Sequence, residues 1–443
     1  MGKEWLGMGA AELGRGIAGG KIDPVALTRT FLDAIESSPY AARIYSCVTP
    51  DRAMAEATAA AARAKSGHRL GPLDGVPVSW KDLFDTAGVA TEAGSQLLKG
   101  RVPPVDAEVV KNATAAGTVC LGKTHMSELA FSGLGLNPMT QTPPCINDAD
   151  AVPGGSSSGA AASVAFGLAA CGIGSDTGGS VRIPSAWNDL VGLKTTAGRV
   201  SLKGVVPLAE SFDTVGPLCR NVEDVALMLA ALEGGRPADL RGVSLKGRRL
   251  MVLETIALDD VRGAPAAGFK GAVERLQSAG AIIERREVPE LEAAMALSPV
   301  LYTVEAYATW KDIIEAAPDK MFPEILERFR AGGNFSGVEY VSAWQKLRQF
   351  RQIWAEKTAG FDAVIMPSAA NMPPNAQKLI DDHDYYVTEN LLTLRNTRIG
   401  NLTGGAALSV PTGLPSTGIM FVTPPNSEER LLRLGAAAET ALA

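Results

Sequence analysis

Two serine-bearing glycine clusters and one lysine carry the chemistry that this sequence offers. The first cluster is Gly154-Gly155-Ser156-Ser157-Ser158-Gly159, and the second is Asp176-Thr177-Gly178-Gly179-Ser180. The stretch joining them is small and apolar, free of charge over residues 151–175, and reads as a helix after a Gly/Ser loop. Upstream, residues 75–82 (GVPVSWKD) read as an apolar strand ending on Lys81. A serine and a neutral lysine suffice for nucleophilic acyl transfer without histidine. An ordinary lysine, with a pKa near ~10.4, stays protonated at neutral pH, but burial disfavours the charged form and frees the amine to act as a base. Val76, Val78 and Trp80 supply such surroundings for Lys81. In a Thr-Gly-Gly-Ser turn, successive backbone N–H groups can converge on an oxyanion, with Ser180 following at once on the same segment. This set predicts an amide hydrolase.

Other chemistries are less well supplied. Residues 154–159 have the outer spacing of a phosphate-binding GxxxxG loop, but Ala160-Ala161 stands where Lys-Ser/Thr is needed. No GxGxxG occurs at a strand-to-helix turn, so dinucleotide binding is unsupported. Gly155-Ser156-Ser157-Ser158-Gly159 also fits GxSxG with Ser157 as nucleophile, which calls for a later acid and histidine. His383, beside Asp381, Asp382 and Asp384, is the only later histidine, because His68 and His125 precede the serines. An esterase of the α/β-hydrolase kind using Ser157 and His383 therefore remains an alternative. There is no HExxH, no paired His/Cys spacing and no SxxK, so no metal and no cofactor is expected.

Composition narrows the class. Hydrophobic residues at 46% and charged residues at 20% fit a soluble globular enzyme. A net charge of −6 argues against nucleic acid or an anionic membrane as partner. The uncharged run at 151–175 is long enough to raise a membrane span, but its first third is Gly and Ser. Five scattered cysteines without CxxC spacing, and no basic-then-apolar leader pattern, point to reduced thiols in a cytoplasmic protein.

The elements that must position these residues alternate. Residues 10–37 read as a broken helical pair, with Asp23-Pro24 as a helix start, and 52–66 as an Ala-rich helix. Strands are expected at 75–79, 118–122, 248–254, 281–288, 362–366, 407–411 and 418–422, and helices at 107–116, 265–278 and 427–442. Residues 290–357 differ: they are mostly helical and carry Trp310, Trp344 and Trp354. With no repeat or low-complexity linker, a single domain over residues 1–443 is expected, with 290–357 as a helical insertion near the pocket mouth.

Taken jointly, these segments resemble the amidase signature family over most of the chain. GVPVSWKD resembles the family's lysine segment, and Gly122-Lys123-Thr124-His125-Met126-Ser127-Glu128 the segment that follows it. PGGSSSGAAASVAFGLAACGIGSDTGGSVRIPSAWNDLVGLKTT resembles the signature, and Ser211-Phe212-Asp213-Thr214-Val215-Gly216-Pro217 the downstream S-x-D-x-x-G-P segment. Ser158, Ala160 and Trp187-Asn188-Asp189 depart mildly from the usual pattern. The resemblance implies an α/β fold, a central mixed β-sheet covered on both faces by helices. It implies Ser180 as nucleophile, Ser156 as a bridging serine in a cis peptide bond, and Lys81 as the base acting through Ser156. It further implies an oxyanion hole from the N–H groups of Thr177, Gly178, Gly179 and Ser180. Gly155, Ser157, Asp176 and Arg182 would support the loops, and Met126 would touch substrate. The implied partner is a small amide or carbamate, and the protein would act as a monomer or homodimer. The alternative within the family is the catalytic A-type subunit of a tRNA-dependent amidotransferase; a non-enzymatic relative is disfavoured by the complete Lys–Ser–Ser set.

Overall fold

The computed structural model describes residues 2–443. Short runs of β-branched and small apolar residues form eleven strands. They are β1 (Tyr45–Val48), β2 (Pro77–Lys81), β3 (Val119–Thr124), β4 (Cys171–Ser175), β5 (Val191–Lys194), β6 (Val215–Cys219), β7 (Arg249–Leu253), β8 (Ile282–Arg286), β9 (Ala363–Pro367), β10 (Ala406–Pro411) and β11 (Gly418–Thr423). All lie in one sheet, in the order β1-β3-β2-β4-β6-β5-β10-β11-β9-β7-β8. The pairs β3–β2–β4 and β9–β7–β8 are parallel, whereas the middle of the sheet and the β1 edge are antiparallel. This is the mixed α/β sheet that the sequence resemblance implies.

Strands buried on both faces should be apolar throughout, and edge strands should carry charge. β2, β3, β4, β5, β6, β9 and β11 are buried along their whole length, so helices cover both faces. β8, at one edge, is largely exposed and ends in Glu284-Arg285-Arg286. No helix among the described residues is long and apolar enough to cross a membrane.

Several expected elements are present within a few residues of their predicted bounds. The Asp23 carboxylate accepts from Ala26 N and Pro24 opens the Pro24–Ser37 helix. Residues 290–357 hold the helices Glu290–Met295, Ser298–Ala316, Pro323–Arg330 and Gly337–Thr358. One expectation needs correction. The segment between the glycine clusters is not a single helix but the short helix Ser158–Ala165 followed by β4. The helix lies so close on the strand that a Cβ at Gly172 would fall 2.4 Å from Ala160 O, and one at Gly174 2.5 Å from Ser157 Oγ. Glycines that look like helix-tolerated small residues are in fact there to let two backbones touch. β1, β4, β5, β6 and the long helix His383–Leu402 had no separate sequence signal.

Candidate active site

β2 delivers Lys81 at its C-terminal end, with its side chain wholly removed from solvent. Its Nζ lies 2.7 Å from Ser156 Oγ, 2.8 Å from Ser175 Oγ and 3.1 Å from Ser157 Oγ. Among the described residues, no carboxylate pairs with it. Burial pulls the Lys81 amine down to about 7, against the opposing pull of Asp176 and Asp213. An ammonium donates to all three hydroxyls, but a neutral amine has two N–H bonds and one lone pair, so one hydroxyl must then donate back. Ser157 Oγ already donates to Ser175 O at 3.1 Å. The hydrogen that reaches Lys81 therefore comes from Ser156 or Ser175.

Two other lysines are as deeply buried, and their partners differ. Lys194 donates to the carbonyls of Thr195 and Gly405, and Lys123 to Asp82 and Thr91. Carbonyls carry no proton to give, and at Lys123 the Asp82 carboxylate opposes the burial that lowers the amine. Lys81 alone of the three is caged by hydroxyls only.

The two glycine clusters meet at this cage. The Gly155–Ser156 peptide bond is cis. Ser127 N donates to Ser156 O at 3.2 Å, and Ser157 N donates to Ser180 O at 3.2 Å, so the first loop is held to the second by main chain. Among the described residues, the N–H groups of Thr177, Gly178, Gly179 and Ser180 donate to no protein acceptor. They form an uninterrupted row of free donors on the segment that carries Ser180.

That row is held by an ion pair and by the long helix His383–Leu402. Arg182 grips Asp176 with two bonds, Nε to Oδ2 at 2.9 Å and Nη2 to Oδ1 at 2.8 Å, and both side chains are fully buried. Burial opposes the Asp176 charge, yet Arg182 and its neighbours carry the carboxyl down to about 2. Asn401 Nδ2 donates to Asp176 Oδ1, and Arg182 Nη1 to Thr397 O. Thr397 Oγ1 donates to Gly178 O at 2.7 Å. Gly179 has φ +145°, and a Cβ there would sit 2.2 Å from Thr397 Oγ1. On the other side, Thr177 Oγ1 donates to Asp213, which also accepts from Leu208 N.

Ser180 opens into a narrow pocket of about 20 Å³, room for roughly one water. Its walls include Phe131, Thr177, Gly178, Tyr302, Leu394, Arg328 and Arg398. Phe131, Tyr302, Arg328 and Arg398 also line an adjoining outer cavity of about 260 Å³. Glu128 ties the two sides together: it accepts from Ser95 Oγ at 2.7 Å and from Phe322 N, just before the Pro323–Arg330 helix. Burial pushes its carboxyl up to about 7.

Lys81, Ser156, Ser157, Asp176, Arg182 and the 177–180 segment are thus brought into one cluster. Met126 adjoins Ser127, whose N–H holds Ser156 O. It is fully buried and packs under Gly94, with its carbonyl held by Asn137, and it does not line the pocket at Ser180. His383 and Ser157 are not brought together: His383 is exposed at the outer rim and pairs with Glu324 at 2.7 Å. Of the aromatic residues in 290–357, Tyr302 reaches the pocket. Trp344 stacks on Phe212, and Trp310 Nε1 donates to Pro207 O. Thr397, Arg398 and Asn401 were missed by sequence reasoning, as was the role of Tyr302. Their helix buries Glu389, Asn390, Thr393, Asn396 and Thr397 on its packed face, so it shows no apolar period.

The profile of the Amidase family matches residues 26–432. The chain belongs to the amidase family. It is 35% identical to the 2-amino-5-chloromuconic acid deaminase of Comamonas testosteroni, over 88% of this chain and 87% of that protein. It is 33% identical to the A-type subunit of the glutamyl-tRNA(Gln) amidotransferase of Thermobifida fusca, over 99% and 96% respectively. Among solved structures, the native peptide amidase of Stenotrophomonas maltophilia superposes with a TM-score of 0.85 at 27% identity, covering 98% and 97% of the two chains. The protein is an amidase-family hydrolase.

Proposed function

We propose that the protein hydrolyses a carboxamide through an acyl-Ser180 intermediate, with Lys81 as base acting through Ser156. The observation that carries this reading is the hydroxyl cage: a buried lysine whose Nζ hydrogen-bonds to three serine hydroxyls, 2.7 Å from Ser156, beside a segment with four free N–H groups. Neutral Lys81 takes a proton from Ser156, Ser156 takes one from Ser180, and Ser180 Oγ attacks the carbonyl carbon. The oxygen that gains charge meets the N–H groups of residues 177–180, already in place and not spent on the protein. The proton returns to the leaving amine as the C–N bond breaks, and water then attacks the acyl-serine by the same relay. Asp176 and Arg182 position the loop rather than take part in proton transfer, since their charges satisfy one another.

The same acyl chemistry extends to carbamates and esters. We place the reaction in the cytoplasm, with the chain acting alone as a monomer or homodimer. The test is a panel of amides, carbamates and esters with chromogenic leaving groups, combined with a serine-directed phosphonate whose adduct is mapped by mass spectrometry. An adduct on Ser180 and turnover of an amide are expected; an adduct elsewhere overturns the assignment. The near full-length similarity to the A-type chain of an amidotransferase favours a second reading, in which the protein supplies ammonia to partner chains. Glutaminase activity of the isolated protein, with its size on gel filtration, separates the two.

A further inference from the structure

The pocket beside Ser180 contains two positive charges that the protein leaves unanswered. Arg328 comes from the Pro323–Arg330 helix and Arg398 from the His383–Leu402 helix. Both line the Ser180 pocket and the outer cavity. Neither donates a hydrogen bond to the protein or pairs with a carboxylate among the described residues. Burial weakens the charged form of both, and Arg398 weakens that of Arg328 further. Arg328 lies over the Phe131 ring, 4.6 Å from its centroid. Arg398 runs along the free-donor segment, its Cγ 3.8 Å from where a Gly178 Cβ would stand. The same pocket is lined by Tyr302, buried to 6% exposure, whose hydroxyl has no hydrogen-bond partner among the described residues.

Most arginines of the chain behave otherwise. Arg52, Arg63, Arg101, Arg182, Arg199 and Arg262 each hold a carboxylate. Two neighbouring guanidinium groups without a counter-ion, plus an orphaned buried hydroxyl, are an unfavourable arrangement unless an anionic acceptor completes it. Planar guanidinium forks and a phenol match the two oxygens of a carboxylate. The acidic residues in this region, Glu324 and Glu327, line only the outer cavity, and Glu324 is occupied by His383. An anion is therefore drawn to the inner end, next to Ser180.

We propose that Arg328, Arg398 and the Tyr302 hydroxyl form a carboxylate subsite, so that the substrate is a small amide bearing a carboxylate a few bonds from the scissile carbonyl. This rests on the reading of Ser180 as nucleophile. The carboxylate orients the amide across the row of 177–180 N–H groups, and the narrow pocket excludes bulky acyl chains.

The test uses the mono-amides of dicarboxylic acids from malonic to adipic. Each is compared with the neutral amide in which an isopropyl group replaces the carboxylate, and Ser180 is labelled in parallel with a small neutral phosphonate. At least one acid is expected to exceed its neutral partner in kcat/KM by about 100-fold, the scale of one or two charge-assisted hydrogen bonds. Arg398→Met and Arg328→Met are expected to collapse that ratio, chiefly through KM, while free dicarboxylates inhibit the unaltered enzyme competitively. The ratio in the unaltered enzyme decides the matter even if a variant fails to fold. Labelling of Ser180 with no preference for any acid overturns the carboxylate subsite and leaves the amidase reading standing. Absence of labelling overturns both.

Discussion

The site has two walls, and they are built on opposite terms. The inner wall consists of the ends of β2 and β4, the cis-containing loop and the 176–180 segment. There, the charged side chains are matched and, apart from the free N–H row, the polar groups are held: Asp176 by Arg182 and Asn401, Asp213 by Thr177 and Leu208, and Lys81 by three serines. The outer wall is made by three helices, Ser298–Ala316, Pro323–Arg330 and His383–Leu402. Among the described residues it leaves the Tyr302 hydroxyl and the Arg328 and Arg398 guanidinium groups without a hydrogen-bond or carboxylate partner. A finished wall suits bond-making, because preorganised groups need not reorganise as charge develops. An unfinished wall suits selection, because a ligand completes it. On the proposed reading, chemistry and choice of substrate are carried by separate elements, joined through contacts such as Glu128 to Phe322 N.

Substitutions in the inner wall should cost the most. Ser180→Ala is expected to lower amide turnover by at least about 10⁴-fold and to abolish phosphonate labelling, with the melting temperature retained. Turnover within about tenfold of the unaltered enzyme would place the nucleophile elsewhere.

Lys81→Met follows. It should slow acylation by about 10³-fold and remove the limb of the pH–rate profile that rises through about 7 as the amine loses its proton. Its effect on stability has the opposite sign. An unfolded-chain lysine holds its proton below 10.5, whereas buried Lys81 holds it only below about 7. Between these values the unfolded state binds more protons, so the unaltered protein gains stability as pH rises and loses it as pH falls through that window. Denaturant titrations should show the variant gaining most on the unaltered protein near pH 7, with its advantage shrinking toward pH 10. A pH-independent difference removes Lys81 as a titrating group.

Much of the inner wall could be read from the sequence because its residues are close together in the chain and chemically unusual. A lysine at the end of an apolar strand and serines flanked by glycines leave a local trace. The outer wall leaves none. Arg328 and Arg398 are ordinary helix residues whose meaning comes from lining one pocket despite a long stretch of intervening chain. The polar stretch at 381–384 shows no apolar pattern, yet Asp382 caps the His383–Leu402 helix by accepting from Tyr385 N. For the fold, strands with clear β-branched runs were visible. β4 and β5 were not, because their glycines, needed where a helix presses on the sheet, mask the strand pattern.

A milder contrast tests the packing of the donor segment. Gly179→Ala forces a side chain onto φ +145° and against Thr397, while the nearest atom to a Gly178 Cβ is 3.7 Å away. The first should cost about 1–3 kcal/mol in denaturant unfolding and the second within about 1 kcal/mol. Equal losses would mean that Thr397 does not define the loop.

The smallest effect belongs to the rim. His383→Ala removes an exposed residue paired with Glu324 and should change turnover by less than about two-fold. A loss comparable to that of Ser180→Ala would reinstate the Ser157–His383 reading.

The strand order has a consequence for how the protein comes into being. β1 to β6 form one side of the sheet and β7 to β9 the other, and the hairpin of β10 and β11 lies between β5 and β9. During synthesis the two sides emerge first and have no shared border. They fuse only when residues 406–423 arrive, by which time Thr397, Arg398 and Asn401 are also on hand. A nascent chain therefore carries Lys81 and both serine clusters through most of its elongation before the helix that braces Gly178 and Arg182, and the hairpin that joins the two sides, are made.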